Sequence, residues 1–485
     1  MRRRRRGIWA RLRARLRARL SRRYAAASLD RLTGDWLPVE QGVNELIAGA
    51  APRIRSRVRQ LVRDMPHFTR AVILMVDLVV GEGHRLQARI LGPGGTQAEG
   101  YNQAIEDAWR RWTDEADVAG RLHFGEIQRL ARRQEEETGE YIIVMTSVKD
   151  PRRFLPLALQ VYEPDQLTDH NTRPRRGNEV IQGIEIDPAT GRAVAYHLED
   201  PWGGQVRRIP AEQVIHGYYT LRPGQVRGVS PFAPVVMLAH DLDEYVGAEL
   251  DAAKLASKYL ALVTTPDMAG YQAGRAETDA DTGQRVEELK NAIIEYLQPG
   301  EEVKLAKPER PGDNFERFAR FCLQAISVTR GLPYHMVSGD TRWLNYSTLR
   351  GVTNGLSTNL GPEKRRHQTQ LCAPVYRAFL DWAVLAGRLK LPGYWSNPWP
   401  WQRCQWYAPG LASPDPAREG RAWIEQIKAG LASPQQILAE RGLDWGEVLR
   451  ELKAFYAEAE RLGVPLQFNN APLKNNPAAI LGESQ

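Results

Sequence analysis

The sequence predicts an α+β fold, and three observations carry that prediction. Apolar residues recur at helical spacing in the first part of the chain, short β-branched and aromatic runs follow between residues 141 and 216, and helical spacing returns from Phe232 onward. With 485 residues, 42% of them hydrophobic and 26% charged, the chain has the composition of a globular protein. We expect two to four domains, or one domain with long insertions.

The net charge of +8 is unevenly distributed along the chain. Residues 1–23 contain twelve arginines and no acid, so the remaining 462 residues carry 54 basic and 58 acidic side chains, a balance of −4. The body of the protein is therefore mildly acidic, although the whole chain has the charge of a basic nucleic-acid binder. The basic start forms an Arg-rich arm, residues 1–28, that includes Arg2, Arg3, Arg4, Arg5, Arg6, Arg11, Arg13 and Arg15.

Several roles stay open for the arm. Leu12, Leu16 and Leu20 would form one narrow apolar stripe if the segment were helical, but no apolar h-region follows the charges, which argues against a secretion signal. A solvated, flexible tail, a contact with nucleic acid, a transit peptide and an interfacial membrane helix remain. Attraction to phosphate requires only a high density of cations, so the arm specifies no nucleic-acid sequence.

Other totals exclude whole classes of protein. The most apolar run, Ala71–Gly81, is eleven residues long and contains Asp77, whereas a spanning helix needs roughly 20 apolar residues. Cys322, Cys372 and Cys404 have no short spacing, so they predict neither a disulfide framework nor a metal site and suit a reducing cytoplasm. We interpret them as small buried hydrophobes.

Helices and strands can be placed in order along the first half of the chain. A mixed stretch is followed by a surface helix and a more apolar, buried helix, and the loop after them lacks the Lys-Ser/Thr of a phosphate-binding loop. A long helical stretch then precedes the strands, of which the third and fourth are joined by a hairpin turn at Asp187–Gly191. These elements are the mixed stretch Leu29–Ala50, helices Arg53–Arg63, Phe68–Val80 and Tyr101–Thr138, the loop Gly92–Gly95, and strands Tyr141–Ser147, Leu155–Tyr162, Glu179–Asp187, Arg192–His197 and Val214–His216.

The second half is mostly helical, with a small unit inserted between two helices. That unit, Pro266–Pro311, contains a predicted short helix, Val286–Leu297, and separates helices Phe232–Leu262 and Asn314–Arg330. Asn345 begins a capped helix after a polar loop that contains Arg342 and Trp343. Asn345–Gly387 is predicted to be helical with breaks at Gly361-Pro362 and Pro374, and the region after Gly410 to be helical with N-caps at Ser413 and Ser433.

Enzyme signatures are mostly absent. The nine histidines include no HExxH pair, and no Gly-x-Ser-x-Gly elbow precedes a helix. His240 with Asp243 and Glu244 is interpreted as a solvated helix face, since a catalytic metal site needs three ligands with supporting partners. Glu185 and Asp187 share one strand face, but no lysine follows two residues later and Pro188-Ala189 comes next, so a nuclease-like carboxylate pair is not favoured. The Trp-rich segment 394–407 is interpreted as aromatic packing, with base stacking as the alternative.

Five segments of the chain are informative when they are taken together and in order. These are Arg53–Gly83, Ala119–Tyr141, Val214–Ser230 continuing into Asp241–Leu255, Leu344–Arg350 and Arg418–Gly442. In that order they resemble the lambda-family portal proteins of tailed bacteriophages, and the resemblance covers about Leu29–Gly463.

The resemblance implies a portal fold with an α/β wing, a helical stem, a small α/β clip insert and a helical crown. The chain would divide into the flexible arm (1–28), wing (29–231), stem helix (232–262), clip (263–312), second stem helix (313–331), tunnel loop (332–344), long helix with the Trp-rich connection (345–409), crown-like helices (410–470) and tail (471–485). The tunnel loop would bring Arg342, Trp343 and Asn345 to a DNA channel, and the clip would present Glu287, Glu288, Glu301 and Glu302 to a terminase.

The function that the resemblance implies is a structural one. A ring, typically of twelve subunits at one capsid vertex, would conduct double-stranded DNA during packaging and ejection, with the terminase large subunit, the major capsid protein and head-completion proteins as partners. No cofactor, catalysis or membrane is expected, and the protein would assemble in the host bacterial cytoplasm and reside in the virion. The alternatives are a metal-dependent nuclease recruited to DNA by the arm, using Glu185 or Asp243, and a monomeric adaptor with a basic tail.

Overall fold

The computed structural model describes residues 40–92, 95–170, 172–200, 204–258, 313–342, 344–411 and 415–464, together with four short strands between residues 262 and 304. The helices are α1 (Val43–Asp64), α2 (Pro66–Val79), α3 (Glu99–Thr113), α4 (Phe124–Thr138), α5 (Val236–Lys258), α6 (Asp313–Thr329), α7 (Tyr334–Ser338), α8 (Tyr346–His367), α9 (Ala373–Leu385), α10 (Pro416–Lys428), α11 (Pro434–Glu440) and α12 (Trp445–Arg461). The strands are β1 (Arg85–Ala88), β2 (Glu140–Ser147), β3 (Leu157–Tyr162), β4 (Glu179–Ile181), β5 (Ile184–Ile186), β6 (Ala193–Glu199), β7 (Val206–Pro210), β8 (Val214–Tyr218), β9 (Leu262–Thr264), β10 (Glu277–Thr278), β11 (Arg285–Val286), β12 (Glu302–Lys304) and β13 (Cys404–Tyr407).

The first helices form one side of a core, and α1 is longer and more buried than the sequence predicts. It begins at Val43, ten residues before the predicted start, and tolerates Pro52 within it. Val58 and Leu61 are buried while Arg57 and Arg63 are exposed, as expected for a surface helix, but Arg55 departs from the prediction because it is buried. The predicted buried helix is confirmed in α2, where Pro66 occupies the first turn and removes no hydrogen bond.

The long helical stretch predicted over Tyr101–Thr138 is two helices, so that prediction is wrong between Asp114 and His123. The side chain of His123 accepts from the backbone of Gly125, and Glu126 reaches back to the His123 backbone, which starts α4 with a capping box. Histidine is not among the preferred capping residues, so the sequence gives little warning of this start. The predicted end at Gly139 is confirmed, with φ of 92°.

Seven of the strands form two antiparallel sheets, ordered β3-β2-β8 and β4-β5-β6-β7. The predicted strand Glu179–Asp187 is instead a hairpin, because Gln182 and Gly183 both have positive φ and form a two-residue turn between β4 and β5. The predicted hairpin turn after Ile186 is confirmed: the Asp187 carboxylate accepts hydrogen bonds from the Ala189 backbone and the Thr190 hydroxyl. Strand β7 is not anticipated by the sequence.

An aromatic core joins segments that are far apart in the chain. The ring of Trp109 lies 5.0 Å from Phe379 and 5.8 Å from Trp406, measured between centroids. Strand β13, within the Trp-rich segment, pairs antiparallel with β1, with Arg85 opposite Tyr407. The aromatic-packing interpretation of residues 394–407 is therefore confirmed for the residues of this core.

Helices α5 and α6 pack side by side, and short strands lie between them in sequence. Tyr245 of α5 contacts Phe315 and Phe318 of α6, with centroids 5.6 Å and 5.2 Å apart. In the intervening unit, β9 pairs with β12 and β10 pairs with β11. The predicted helix Val286–Leu297 is wrong at Val286, which lies in β11, and its other residues lie outside the described part.

The helix that follows α7 is more continuous than predicted. Neither predicted break occurs: Pro362 lies inside α8, at an exposed position, and the π-helical turn Gln368–Cys372 joins α8 to α9 without interruption. The backbone N–H of Ala373 bonds to Gln368, five residues back, just before Pro374, which has no N–H to donate. The predicted loop 332–344 is also partly helical, because α7 occupies Tyr334–Ser338.

The last helices bury little of their surface. Ile437 and Ala459 are the buried apolar residues of α10, α11 and α12. The predicted cap at Ser433 is confirmed, with Gln436 completing a capping box, but the cap of α10 is Asp415 and not Ser413, which lies outside the described residues. Cys322 and Cys372 are buried and Cys404 is partly buried, all three as free thiols, as predicted. In the described part of the chain no helix combines the length and apolarity needed to cross a membrane.

Candidate functional site

The polar loop between α7 and α8 is held in place by charged side chains. Gly339 ends α7 in a left-handed conformation, with φ of 73°, and the Asn345 side chain caps α8 by accepting from the Thr348 backbone. Between them, Arg342 donates to both carboxylate oxygens of Asp340, each at 2.9 Å. The capped helix start predicted at Asn345 is thus confirmed.

Arg342 also connects this loop to α6. Its Nη2 lies 2.6 Å from Oε1 of Glu316, and Arg320 lies near the same two carboxylates. Hydrogen bonds from Arg342 lower the pKa of Asp340 to about 2 and lower the pKa of Glu316. Two arginines therefore face two carboxylates, so the positive charge of Arg342 is locally compensated.

A buried ionic cluster ties α4 to α8 and to the end of α6. We call it the α4 cluster; it contains three arginines and three glutamates. Arg132 is fully buried and pairs with Glu135 and Glu136 on its own helix and with Glu363 of α8, at 3.0 Å. Burial alone would lower the pKa of Arg132, but Glu136, Glu135 and Glu363 together raise it. The remaining members are Arg330, which bonds to Glu136, and Arg366, whose Nη2 lies 2.6 Å from Glu135 and 2.7 Å from Glu363.

A second buried cluster surrounds Glu140 at the start of β2. Arg227 donates to both carboxylate oxygens of Glu140, at 2.6 to 2.9 Å, and the backbone of Gly228 donates at 2.8 Å. His216 Nε2 lies 3.0 Å from the same carboxylate, and Arg55 of α1 lies 3.3 Å away. Burial would raise the pKa of Glu140, but Arg227 and His216 outweigh it and lower the pKa to about 2.

Glu185 and Asp187, the carboxylates considered as a nuclease-like pair, have structural roles. Glu185 is completely buried, and its oxygens accept hydrogen bonds from Arg208 at 2.7 and 3.0 Å and from Asn178 at 2.6 Å. Asp187 lies in the exposed turn, where it holds Thr190. The nuclease alternative is not supported, because Glu185 is occupied by Arg208 and Asn178, and Asp187 is occupied by the turn residues Ala189 and Thr190.

The helical histidine cluster is also not a metal site. His240 lies 3.3 Å from Glu244 one turn later, and both side chains are more than half exposed, as expected for a solvated helix face. Within the described ranges, no group of three His, Cys, Asp or Glu side chains could hold a metal ion.

Only part of the predicted site set falls within the described residues. Arg342 and Asn345 lie in the loop described above, and Glu302 lies in β12, paired with Thr264. Residues outside the described part are Trp343, Glu287, Glu288, Glu301 and the arm arginines Arg2, Arg3, Arg4, Arg5, Arg6, Arg11, Arg13 and Arg15.

Sequence reasoning missed the two buried ionic clusters, one around Arg132 and one around Glu140. The spacing of Arg132 to Glu135 and Glu136, three and four residues on, is the local signal for an intrahelical pair. No local sequence pattern predicts the contact between Glu140 and Arg227, which lies 87 residues later. The charged side chains of this region form ion pairs that support the fold. Among the residues that the structure describes, no side chains are arranged as a catalytic group.

Comparison with known proteins gives a consistent result. The model of the family described as "Phage portal protein, lambda family" matches residues 29–359. A probable portal protein of Halomonas phage phiHAP-1 is 25% identical over 477 residues, covering 94% of this chain and 90% of the relative, and portal protein B of Escherichia phage lambda is 22% identical, covering 86% and 85%. Among solved structures, the neck of a native gene transfer agent particle has 15% identity and a TM-score of 0.45, covering 82% of this chain and 98% of that one.

Proposed function

This chain belongs to the lambda family of phage portal proteins, which gives it a portal role in a capsid, and on that premise we propose that it assembles into a ring that conducts double-stranded DNA at one vertex. Twelve copies is the number that the family resemblance implies. The ring would be used twice, during packaging and during ejection. The family is generally structural, and we propose no catalytic step for this chain.

The observation that carries the ring is apolar surface that the single chain leaves uncovered. On α6, Phe321 is 60% exposed and Val328, seven residues later on the same side, is 77% exposed. Leu452 and Tyr456 of α12 are also exposed, and no residue of α10 is buried. Monomeric proteins rarely expose large contiguous apolar patches, whereas neighbouring copies in a ring would bury them.

The arrangement of α5, the strands and α6 supports a stem with a clip. The two helices contact through Tyr245, Phe315 and Phe318, and the strand pairs β9-β12 and β10-β11 belong to the segment that connects them. We propose the stem as 232–262 with 313–331 and the clip as 263–312, where Glu287, Glu288, Glu301 and Glu302 would face the terminase large subunit. Residues 29–231 would be the wing and 410–470 the crown.

The tunnel-loop role of residues 332–344 rests on position and charge. The loop precedes the long helix α8 and is tied to α6 through Arg342 and Glu316. Because the carboxylates compensate Arg342, the loop would present little net charge to passing phosphates, which suits a conduit through which DNA slides. Trp343 and Asn345 would lie at the same constriction.

The remaining partners and the site of assembly follow from the same role. We propose the major capsid protein around the ring and head-completion proteins at the clip after packaging, with assembly in the host bacterial cytoplasm. The arm, residues 1–28, would contact either DNA or other proteins of the particle.

Native mass spectrometry and electron microscopy of the purified full-length chain test the proposal. The expected result is a closed ring, with the subunit number given by its mass. A stable monomer at all protein concentrations and ionic strengths would overturn it.

A further inference from the structure

One long side of α8 is exposed and has an unusual composition. The helix buries Leu356, Leu360 and His367, and the side opposite these residues lies open. We call this side the outer face of α8. It carries Ser347, Arg350, Gly351, Asn354, Gly355, Thr358, Gly361 and Arg365, which recur at three- and four-residue spacing and are all exposed.

The outer face has cations and neutral donors but no acid. Residues 345–362 contain no aspartate or glutamate, and the first acid after them, Glu363, is turned inward to pair with Arg132. Among the described residues, neither Arg350 nor Arg365 forms an ion pair with a carboxylate. In a body whose balance is −4, an acid-free helix face with two arginines has the charge that complements a polyanion.

The glycines of this face are not required by packing within the chain. A Cβ added at Gly351, Gly355 or Gly361 would meet nothing within 4 Å. Glycine inside a helix costs about 1 kcal/mol relative to alanine, so three of them on one face weaken the helix without an internal benefit. Glycine does allow a partner to approach the backbone closely.

We propose that the outer face of α8 is a phosphate-contacting surface for double-stranded DNA in the conduit, an inference that rests on the proposed function. Arginine, serine, threonine and asparagine are among the side chains that donate to phosphate oxygens in protein–DNA complexes. From Arg350 to Arg365 the helix rises roughly 22 Å, long enough to follow several successive phosphates. Hydroxyl and amide donors release no counterions from DNA when they bind phosphate. With only two cations per copy, the face would therefore contact the DNA weakly enough for it to slide.

A second copy of the chain is the other occupant to consider for this face. Protein interfaces are enriched in arginine as well as in aromatic residues and methionine, but their cores are apolar, and none of the residues of the outer face is a large apolar one. Tyr346, in the first turn of α8, is exposed beside this face, whereas the more exposed apolar side chains Phe321 and Val328 lie on α6. The outer face of α8 has polar donors and no acid, so its composition favours DNA as the partner. The apolar side of α6 is the surface that a neighbouring copy would cover.

Site-directed photo-crosslinking tests this inference in assembled particles. Ser347→Cys and Thr358→Cys would each carry a thiol-attached photoreactive group, in a chain in which the partly buried Cys404 is replaced by serine and the buried Cys322 and Cys372 are kept. Thr190→Cys, at the exposed turn between β5 and β6, is the matched control. We expect at least tenfold more cross-linked DNA from positions 347 and 358 than from position 190.

Two results would overturn the inference while leaving the proposed function intact. These are DNA-filled particles in which positions 347 and 358 cross-link to a neighbouring copy, and DNA-filled particles in which they cross-link to DNA no more than position 190 does. Particles that stay empty with the unsubstituted chain would contradict the proposed function itself, and with it this inference.

A charge-reversal pair provides a second measurement. R350E/R365E should lower the packaged DNA per particle severalfold while the yield of rings stays unchanged. The two substitutions make the charge of each copy more negative by four units, so the face would repel phosphate. R350K/R365K keeps the charge and should retain most of the packaged DNA. Equal DNA content in all three particles would contradict a phosphate contact at this face.

Discussion

Arg330 donates from Nε and Nη2 to the two carboxylate oxygens of Glu136, each at 2.8 Å. This paired contact joins the turn after α6 to the middle of the α4 cluster, where Arg132 and Glu363 of α8 also meet. Glu136 therefore links α4 to the end of α6, and Arg132 and Arg330 in turn link these two helices to Glu363 of α8.

Removing the charge of Glu136 should strongly destabilise the fold. Glu136→Gln leaves Arg132 and Arg330 buried with one carboxylate fewer, and breaking a buried ion pair on one side costs about 3–5 kcal/mol. Glu137→Gln is the control, because its partner Arg133 is half exposed and the loss should stay within about 1 kcal/mol. Urea unfolding of both variants measures the difference, and equal midpoints would contradict the structural role of the cluster.

The pH dependence of stability should reveal Glu140. Its pKa is lowered to about 2 in the folded chain, against about 4.3 for an ordinary glutamate. The stabilisation is therefore fully present above pH 4.3 and is lost as the pH falls through 2. The shift corresponds to about 3 kcal/mol.

Comparing unfolding free energies between pH 6 and pH 2 measures this contribution. The difference between the unsubstituted chain and Glu140→Gln should shrink as the pH falls, while exposed Glu179→Gln serves as a control with little effect at any pH. A difference that is independent of pH would mean that Glu140 stabilises the fold by packing and not by its charge.

The sequence anticipated what local patterns can encode. Helix α6 was predicted within one residue at each end, because Phe315, Cys322 and Ile326 repeat at helical spacing, and the turn at Asp187–Gly191 has the residues that such turns require. The portal family was likewise predicted from the order of its segments, and it is confirmed. The loop carrying Arg342 was placed correctly between two helices, although α7 shortens it.

What the sequence did not reveal depends on contacts between distant residues. Strand β1 pairs with β13 more than 300 residues later, and four residues of ordinary composition at Arg85–Ala88 give no local sign of it. Glu136 meets Arg330 for the same reason, through tertiary packing alone. The turn at Gln182-Gly183 was missed because Gln182 adopts a positive φ that glutamine rarely takes.

Removing the link between the loop and α6 should alter DNA handling and not folding. Arg342→Ala deletes the contacts with Glu316, which is solvent-exposed, and with the partly buried Asp340, which still has Arg320 at 3.7 Å, so the loss in melting temperature should be small and the ring yield should not change measurably. Packaged DNA, or its retention after packaging, should change. Arg317→Ala, an exposed arginine on α6, is the control. Loss of rings with normal DNA content per surviving ring would instead assign Arg342 to a contact between subunits.

The exposed apolar side of α6 should be needed for assembly. Val328→Asp and Phe321→Asp place a charge where a neighbouring copy would bury an apolar side chain, and this should shift the protein from rings to monomers that keep their circular dichroism spectrum. Arg317→Asp on the same helix controls for the added charge. Rings of unchanged yield from both apolar variants would place the subunit contact on another surface.

Deleting residues 1–23 should leave the ring intact. The deletion removes twelve positive charges per copy and leaves a body with a charge balance of −4. The deleted form should therefore bind free duplex DNA more weakly, and its affinity should depend less steeply on salt concentration. If the apolar surfaces of the body hold the ring together, as proposed, ring formation should persist, and native mass spectrometry would show it. A variant in which the twelve arginines are lysines keeps the charge and should restore DNA binding. If the deleted form yields monomers while the lysine form yields rings, the arm is an assembly element that acts through its charge.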